Sequence, residues 1–152
     1  ELVSWTKDFI EKYRPALEAL RTNKMTRYLS AEEVLVLHSL VVEETGGAHG
    51  VRDTALLESI IERPKASYGG VDLHSTLTTK AAVFCEAIVN YHIFVDGNKR
   101  TAFVSLSRFL HINGKLITAT NDEVVVLMVG IANKHMDITE LAQWIEKNTK
   151  DI

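Results

Sequence analysis

Residues 92–100 of the chain, HIFVDGNKR, combine side chains that can move a proton, bind a metal ion and hold phosphate. His92 carries an imidazole, the side chain that most often serves as a general base, and it can take a proton from an attacking hydroxyl. Asp96 is a carboxylate placed to hold a Mg²⁺ ion that bridges phosphate oxygens. Lys99 and Arg100 stand in the first turn of a predicted helix, where the helix dipole disfavours cations unless an anion is bound. The stretch therefore predicts a site for phosphoryl or nucleotidyl transfer.

Gly97 and Asn98 mark the point at which this loop becomes a helix. A glycine lets the backbone approach a ligand closely and adopt a positive φ, which forms an anion-holding nest. The helix expected to begin at Asn98 points unpaired N–H groups at whatever lies beyond it. Ile93 and Phe94 are apolar, and we expect them to anchor the loop on the core. An Asp-Gly-Asn turn before two basic residues also occurs by chance, which leaves a non-catalytic turn as the alternative.

Helical periodicity dominates the chain and places these residues between two buried helices. Residues 76–91 are apolar nearly all round, as is typical of a central buried helix, and residues 98–112 form the helix that follows. Capping signals predict four further helices, over residues 31–44, 53–62, 120–133 and 137–148. A Gly-Gly pair predicts a small hairpin at residues 68–71. The β-branched run 124–129 could form a strand, but the cap before it and the lack of a partner strand favour helix. The predicted fold is all-α.

Composition excludes several classes of function. The chain has 152 residues, of which 46% are hydrophobic, and a formal net charge of −3. This length suits one domain with its own core, and the negative charge argues against nucleic acid or an anionic membrane as a partner. No apolar run reaches the ~18–20 residues of a spanning helix, and no signal-peptide pattern is present, so we expect a cytoplasmic protein. Cys85 is the one cysteine, and the remaining histidines lack the spacing of a zinc site: His38, His49, His74, His111 and His135. We expect these histidines to be structural or exposed.

The first 24 residues differ in character from the rest. Their apolar stripe consists of Trp5, Phe9, Tyr13, Ala16, Leu17 and Leu20. Pro15 should kink this helix, and a polar joint at residues 22–24 precedes Met25, where a natural start is expected. Two interpretations stay open at this point. The segment is either an ordinary first helix or a separate amphipathic peptide, joined as a fusion, that docks in a groove of the domain.

The stretch HIFVDGNKR resembles the Fic/Doc family motif H-x-F-x-[DE]-G-N-[GK]-R and matches it at every specified position. The resemblance extends over residues 25–152, which divides the chain into an antitoxin-like segment, 1–24, and a Fic/Doc domain, 25–152. It implies a Fic/Doc-type helical bundle with a small β-hairpin flap near residues 65–71 that aligns the target segment.

The resemblance also implies roles for the site residues. His92 is the general base, Asp96 is the Mg²⁺ ligand, Asn98, Lys99 and Arg100 bind phosphates, and Gly97 supplies backbone to the anion site. Lys99 stands where adenylylating members have a second glycine, and Phe103 stands where they have a further arginine. Both departures resemble the death-on-curing (Doc) branch, in which ATP binds in a reversed pose and its γ-phosphate goes to a target hydroxyl.

The expected function is that of a toxin of a bacterial type II toxin–antitoxin system. The resemblance implies a protein serine/threonine kinase that uses ATP and Mg²⁺ and inhibits translation through a threonine of elongation factor Tu. Protein adenylylation and a non-catalytic phosphate-binding module are the alternatives.

The resemblance implies an antitoxin as a further partner. Doc toxins are neutralised by the C-terminal part of a separate antitoxin, and residues 1–24 resemble such a tail, disordered alone and helical when bound. The self-inhibitory pattern [ST]-x-x-x-E-[GN] of other Fic proteins does not occur in the sequence. We therefore expect residues 1–24 to hold the domain inactive.

Overall fold

The computed structural model describes residues 1–18 and 26–152, with side chains for residues 1–14 and 26–152. Its helices are α1 (Leu2–Glu18), α2 (Ala31–Thr45), α3 (Thr54–Glu62), α4 (Leu77–Tyr91), α5 (Asn98–Ile112), α6 (Asn121–Ala132) and α7 (Ile138–Lys147). Its strands are β1 (Ser67–Tyr68), β2 (Val71–Asp72), β3 (Lys115–Ile117) and β4 (Thr149–Asp151). The expected helical bundle with a small hairpin is confirmed. The predicted joint at residues 22–24 and the expected start at Met25 lie outside the described residues. None of the helices in the described ranges has the length and apolar content needed to cross a bilayer.

Local capping chemistry fixes where most of these helices begin. Side-chain caps stand at the starts of α2, α3, α4, α6 and α7, from Ser30, Asp53, Thr76, Thr120 and Asp137. The cap at Thr120 begins a helix that contains residues 124–129, as preferred from the sequence. Within residues 26–152, α5 alone begins without a side-chain cap, because its N-cap residue is Gly97. The first N–H groups of α5 therefore lack the partner that a capping side chain would provide.

Helix α4 is the centre of the bundle and packs against α3, α5, α6 and α7. Its alanines at 81, 82 and 87 are fully buried, which allows neighbouring backbones to approach closely. Large core side chains fill the space around it, including Ile88 of α4 and Leu106 and Phe109 of α5. Each such side chain stabilises the fold by about 1.5–3 kcal/mol through burial. The two helices that flank the loop 92–97 are therefore firmly held by the core.

A second strand pair, β3 with β4, was not expected from the sequence. The strands are antiparallel and pair Lys115 with Asp151 and Ile117 with Thr149. Each strand has three residues, too few to show the alternation of side chains that predicts a strand. The paired residues of the two strands are more than thirty positions apart in the chain.

Strands β1 and β2 form the predicted hairpin around Gly69 and Gly70. These glycines have φ of 59° and 80°, as a two-residue turn between antiparallel strands requires. The side chains of Tyr68 and Val71 are 89% and 70% exposed, so packing does not hold the hairpin in place.

A buried ammonium holds the base of the hairpin instead. Lys80 of α4 is 2% exposed, and its Nζ donates to Oδ2 of Asp72 at 3.1 Å and to the carbonyl oxygen of Pro64 at 3.3 Å. Because Pro64 precedes the hairpin and Asp72 ends it, one side chain ties both of its ends to the central helix.

Helix α1 packs against α5 and α6. Within residues 2–14 of this helix, the buried side chains are Val3, Thr6 and Ile10. Trp5 and Phe9 of the predicted stripe are only partly buried, with ring centroids 5.2 Å apart, and Tyr13 is 42% exposed. The centre of the predicted stripe was therefore wrong. The face of α1 that contacts the domain runs through Thr6, a polar residue that a hydrophobic pattern does not include. The helical backbone continues through Pro15 to Glu18.

Replacing Lys80 with Met should loosen the hairpin and lower the free energy of unfolding by about 1–3 kcal/mol, because a buried carbonyl loses its donor. Thermal unfolding and limited proteolysis at Gly69-Gly70 measure the two effects. Lys65→Met is the matched control, since the pair between Lys65 and Glu62 is solvent-exposed and contributes little. Equal protease sensitivity in the two variants would show that Lys80 does not hold the hairpin.

Candidate active site

The loop between α4 and α5 opens onto a cavity of about 420 Å³. All the predicted site residues line this cavity: His92, Asp96, Gly97, Asn98, Lys99 and Arg100. They come together because the loop is short and both flanking helices are fixed in the core. The remaining walls come from the last turn of α4, from Val95 and from Ala132 at the end of α6.

His92 ends α4 in a left-handed conformation, with φ 49° and ψ 49°. This conformation is uncommon outside glycine and costs on the order of 1–3 kcal/mol for a residue with a side chain. The residue is exposed, and its ring makes no hydrogen bond with the described parts of the chain. An imidazole in this state is available to accept a proton from a group that enters the cavity.

The middle of the loop is anchored in the core, as predicted. Ile93 and Phe94 are fully buried. The side-chain amide of Asn98 holds both backbone groups of Phe94, accepting from its N–H and donating to its carbonyl oxygen, each at 3.0 Å. Residues 50–52 pair with the other side of the loop, through hydrogen bonds of 2.7 Å and 3.0 Å. The loop is therefore fixed between two outward-facing residues, His92 and Asp96.

These contacts change the role expected of Asn98. Its side chain was predicted to bind phosphate, but the amide oxygen and nitrogen are both occupied by Phe94. Asn98 therefore contributes its backbone N–H, rather than its side chain, to the cavity. The first hydrogen bond along α5 runs from Thr101 N–H to the carbonyl oxygen of Gly97 at 2.9 Å. The N–H groups of residues 98–100 have no partner in the described structure, so this helix start can receive an anion.

Asp96 accepts two backbone hydrogen bonds. Gly97 N–H donates to Oδ1 at 2.7 Å and Ala48 N–H donates to Oδ2 at 3.2 Å. These bonds, the one from Gly97 first, lower the pKa of the Asp96 carboxyl below its ordinary value. The side chain is 48% exposed, which leaves lone pairs open toward the cavity.

This carboxylate fits a magnesium ion that is shared with phosphate. The described residues contain no cluster of three or more His, Cys, Asp or Glu side chains that could enclose a metal. Mg²⁺ is commonly held by one or two carboxylates together with substrate phosphates and water. An ionised, half-exposed Asp96 beside open helix N–H groups meets that description.

The two cations of the motif differ in their surroundings. Lys99 is exposed and has no ion pair in the described structure. Arg100 donates from Nη1 to Oγ1 of Thr45 at 2.5 Å and to the carbonyl oxygen of Gly46 at 2.9 Å, and its Nη2 lies 3.6 Å from Oδ1 of Asp96. Arg100 therefore lines the cavity and also fastens the end of α2 to it.

Besides the pairing of residues 50–52 with the loop, two groups of contacts with the motif were missed by reasoning from the sequence. One is the end of α2, where residues 45–48 meet Asp96 and Arg100. The other is His38, one of the histidines expected to be structural or exposed, whose Nε2 lies 2.8 Å from the carbonyl oxygen of Asp96. The partners are 48 to 58 positions apart in the chain, so no local spacing reports them. The Gly46-Gly47 pair after α2 was the available signal, since paired glycines allow close approach of backbone.

Asp53 and Lys65 have different surroundings. Asp53 caps α3, with Oδ1 accepting from Leu56 N–H at 2.9 Å. Lys65 lines an open depression of about 750 Å³ beside the hairpin, together with Arg63 and Tyr91. Arg63 donates to the hydroxyl of Tyr91 at 3.2 Å, and Tyr91 directly precedes His92. One residue of this depression is therefore the chain neighbour of His92.

Gly47→Ala should disturb Asp96 more than Gly46→Ala does. A Cβ at position 47 would lie 2.6 Å from Oδ2 of Asp96, whereas a Cβ at position 46 has no neighbour within 4 Å. Both glycines have positive φ, so both variants carry backbone strain of about 1–3 kcal/mol, and only Gly47→Ala displaces the carboxylate. Thermal unfolding measures the loss of stability that both variants share. Titration with Mg²⁺ and ATP measures the loss of Mg²⁺ affinity that follows from displacing the Asp96 carboxylate. Equal loss of Mg²⁺ binding in the two variants would mean that the contact at position 47 is unimportant.

Comparison with known proteins agrees with this geometry. The family model described as Fic/DOC matches residues 28–110. A protein of Mycolicibacterium smegmatis named toxin Doc is 39% identical over 120 residues, which cover 78% of this chain and 90% of that protein. A protein of Escherichia phage P1 named protein kinase doc is 31% identical over 121 residues, covering 80% of this chain and 94% of its own length. The chain belongs to the Fic/Doc family.

Proposed function

We propose that this chain is the toxin of a bacterial type II toxin–antitoxin system and acts as a protein kinase of the Doc type. The observation that carries the proposal is the meeting, in one cavity, of an exposed imidazole, an ionised carboxylate and an uncapped helix start. The names of the two relatives, one a toxin and one a protein kinase, support the same function.

The proposed reaction moves the γ-phosphoryl group of ATP to a hydroxyl of the target. His92 takes the hydroxyl proton while the hydroxyl oxygen attacks the γ-phosphorus, and the bond to the β,γ-bridging oxygen breaks to release ADP. The N–H groups of residues 98–100, with Lys99 and Arg100, hold the phosphate oxygens. Asp96 would hold Mg²⁺, which when bound neutralises charge on the phosphates.

Two positions favour γ-phosphate transfer over adenylylation. Lys99 adds a cation where adenylylating members have glycine. Position 103, where those members carry an arginine, is a phenylalanine with 1% exposure that borders α1 rather than the cavity. Relative to adenylylating members, Lys99 adds a positive charge near the start of α5, and Phe103 removes one from the next turn. This change in charge shifts the position at which the triphosphate is most stable. Adenylylation stays the second candidate, because Lys99 has no ion pair in the described structure and can leave the helix start open.

A threonine of elongation factor Tu is the proposed acceptor, on the basis of the family alone. The hairpin and the depression beside it suit an extended target segment. Tyr68 and Val71 are exposed on short strands with a free edge, and the depression beside the hairpin is lined by Tyr91, the chain neighbour of His92.

The chain is cleaved at a protease site inserted after Asn23, so that the N-terminal segment can be released. Incubation of this protein with ATP labelled at the α- or the γ-phosphate, with elongation factor Tu as acceptor, tests the proposed function. We expect γ-label on the target, and a loss of about 10²–10⁴-fold in the rate for His92→Ala with unchanged thermal stability. His135→Ala, which removes an exposed histidine outside the cavity, is the control and should transfer at the parent rate. Transfer of α-label would establish adenylylation instead, and an undiminished rate for His92→Ala would exclude the proposed base.

We further propose that residues 1–24 act as a tethered antitoxin tail. Helix α1 covers the side of α5 that carries Phe103 and Ser107, one to two turns from the cations of the motif. The side chains of residues 2–14 do not line the cavity that holds His92, so we propose that this part of the tail inhibits without filling the nucleotide site. Tethering gives the tail an effective concentration in the millimolar range, on the order of that for a short flexible linker.

Ile10→Asp should release the tail and raise kinase activity. Ile10 is 5% exposed, and burying a carboxylate there costs about 3 kcal/mol or more, which shifts docking by roughly 10²-fold. Lys12→Asp, at an exposed position of the same helix, is the matched control. A protease site inserted after Asn23 gives an independent route to the released state. Unchanged γ-label transfer after both treatments would rule out inhibition by this segment.

A further inference from the structure

His38 of α2 lies directly beneath the catalytic loop. It is 3% exposed, and its Nε2 is 2.8 Å from the carbonyl oxygen of Asp96. Its ring stacks on Phe94 with centroids 3.8 Å apart and an angle of 5° between planes. The same Nε2 lies 3.7 Å from the position of a Cβ on Gly97. One side chain thus contacts Asp96 and Phe94 and lies beside Gly97.

The hydrogen bond fixes the tautomer of this histidine. A carbonyl oxygen can only accept, so Nε2 must carry the hydrogen and donate it. The burial of the ring shields this hydrogen bond from water. Without His38, the carbonyl oxygen of Asp96 would lose this donor.

The bonded carbonyl belongs to the peptide unit that joins Asp96 to Gly97. Its other end, the Gly97 N–H, donates to Oδ1 of Asp96 at 2.7 Å. Since a peptide unit is planar, the direction of the carbonyl sets the direction of the N–H. Holding the carbonyl toward His38 therefore holds the N–H toward the carboxylate.

Gly97 makes this restraint necessary. A glycine accepts positive and negative φ with similar ease, so the peptide before it can rotate with little steric resistance. Gly97 has φ 77° here, and no side chain of its own keeps it there. A rotated peptide would withdraw the N–H from Asp96 and present a carbonyl oxygen in its place.

We propose that His38 is a positioning residue that locks the peptide between Asp96 and Gly97 and thereby orients the Asp96 carboxylate in the cavity. The catalytic consequence rests on the proposed phosphotransfer, whereas the orientation of the peptide does not. Partners that orient a metal-binding carboxylate typically change metal affinity or activity by about 10–100-fold when removed.

Three variants separate positioning from packing. His38→Phe keeps a flat ring against Phe94 and removes the donor. His38→Gln keeps an N–H donor near the place of Nε2 and removes the ring stack. Val34→Ala removes packing from a fully buried position one turn earlier on the same helix.

The first measurement is the dependence of γ-label transfer on Mg²⁺ concentration, with kcat and KM for ATP determined at saturating Mg²⁺. We expect His38→Phe to raise the half-saturating Mg²⁺ concentration by about tenfold and to lower kcat, and His38→Gln to recover most of both. Val34→Ala should lower Tm and leave the Mg²⁺ dependence unchanged. A parent-like Mg²⁺ dependence in His38→Phe, or the same change in Val34→Ala, would overturn the proposal.

The second measurement does not require activity. The Gly97 amide resonance of the full chain, recorded by ¹⁵N NMR without nucleotide, reports whether its hydrogen bond to Asp96 persists. It should shift in His38→Phe, stay near the parent position in His38→Gln, and be unaffected in Val34→Ala. An unshifted resonance in His38→Phe would overturn the inference even for an active enzyme. Failure of the parent to transfer label even after cleavage at a protease site inserted after Asn23 would instead refute the kinase function and leave this measurement to decide the role of His38.

Discussion

The conformation of the loop 92–97 depends on the burial of Phe94. A loop that passes through the core must satisfy its backbone groups there, because an unpaired N–H or carbonyl in an apolar interior costs about 1–3 kcal/mol. The amide of Asn98 satisfies both groups of Phe94, and the ring packs flat on His38. His92 and Asp96 stand two positions to either side of this anchor. Any displacement of Phe94 would therefore move the proposed base and the proposed metal ligand together.

The site is assembled from features that each lower stability. A left-handed His92 costs on the order of 1–3 kcal/mol and an uncapped α5 about 0.5–2 kcal/mol. Their neighbours offset these costs, since α4 and α5 are packed through many fully buried side chains. The costs thus fall on the short loop and the start of α5, while the core holds the helices on either side. This division is what a site for phosphate transfer requires, because catalysis there depends on fixed placement of charge.

Sequence patterns predicted those parts of the structure that are local in the chain. Capping residues and apolar periodicity located α2 to α7, and the site residues were found because they lie within nine consecutive positions. The strand pair β3–β4 was missed since three-residue strands carry no periodic signal. The contacts of Asp96 with Ala48 and His38 were missed because they join distant segments. The face of α1 was misplaced because Thr6, a polar residue, is 2% exposed at its centre.

Phe103 links the proposed chemistry to the position of α1. It lies three residues after Arg100, so the two side chains stand one turn apart on α5, Arg100 at the cavity and Phe103 at the crevice under α1. An arginine at position 103 would place a guanidinium against Val3 and Ile10, where desolvation costs several kcal/mol. A phenylalanine there packs against the helix instead. The same substitution that removes a phosphate-binding cation from α5 therefore also creates an apolar surface for α1. The proposed preference for phosphate over AMP transfer and the docking of the first helix therefore involve the same residue, Phe103.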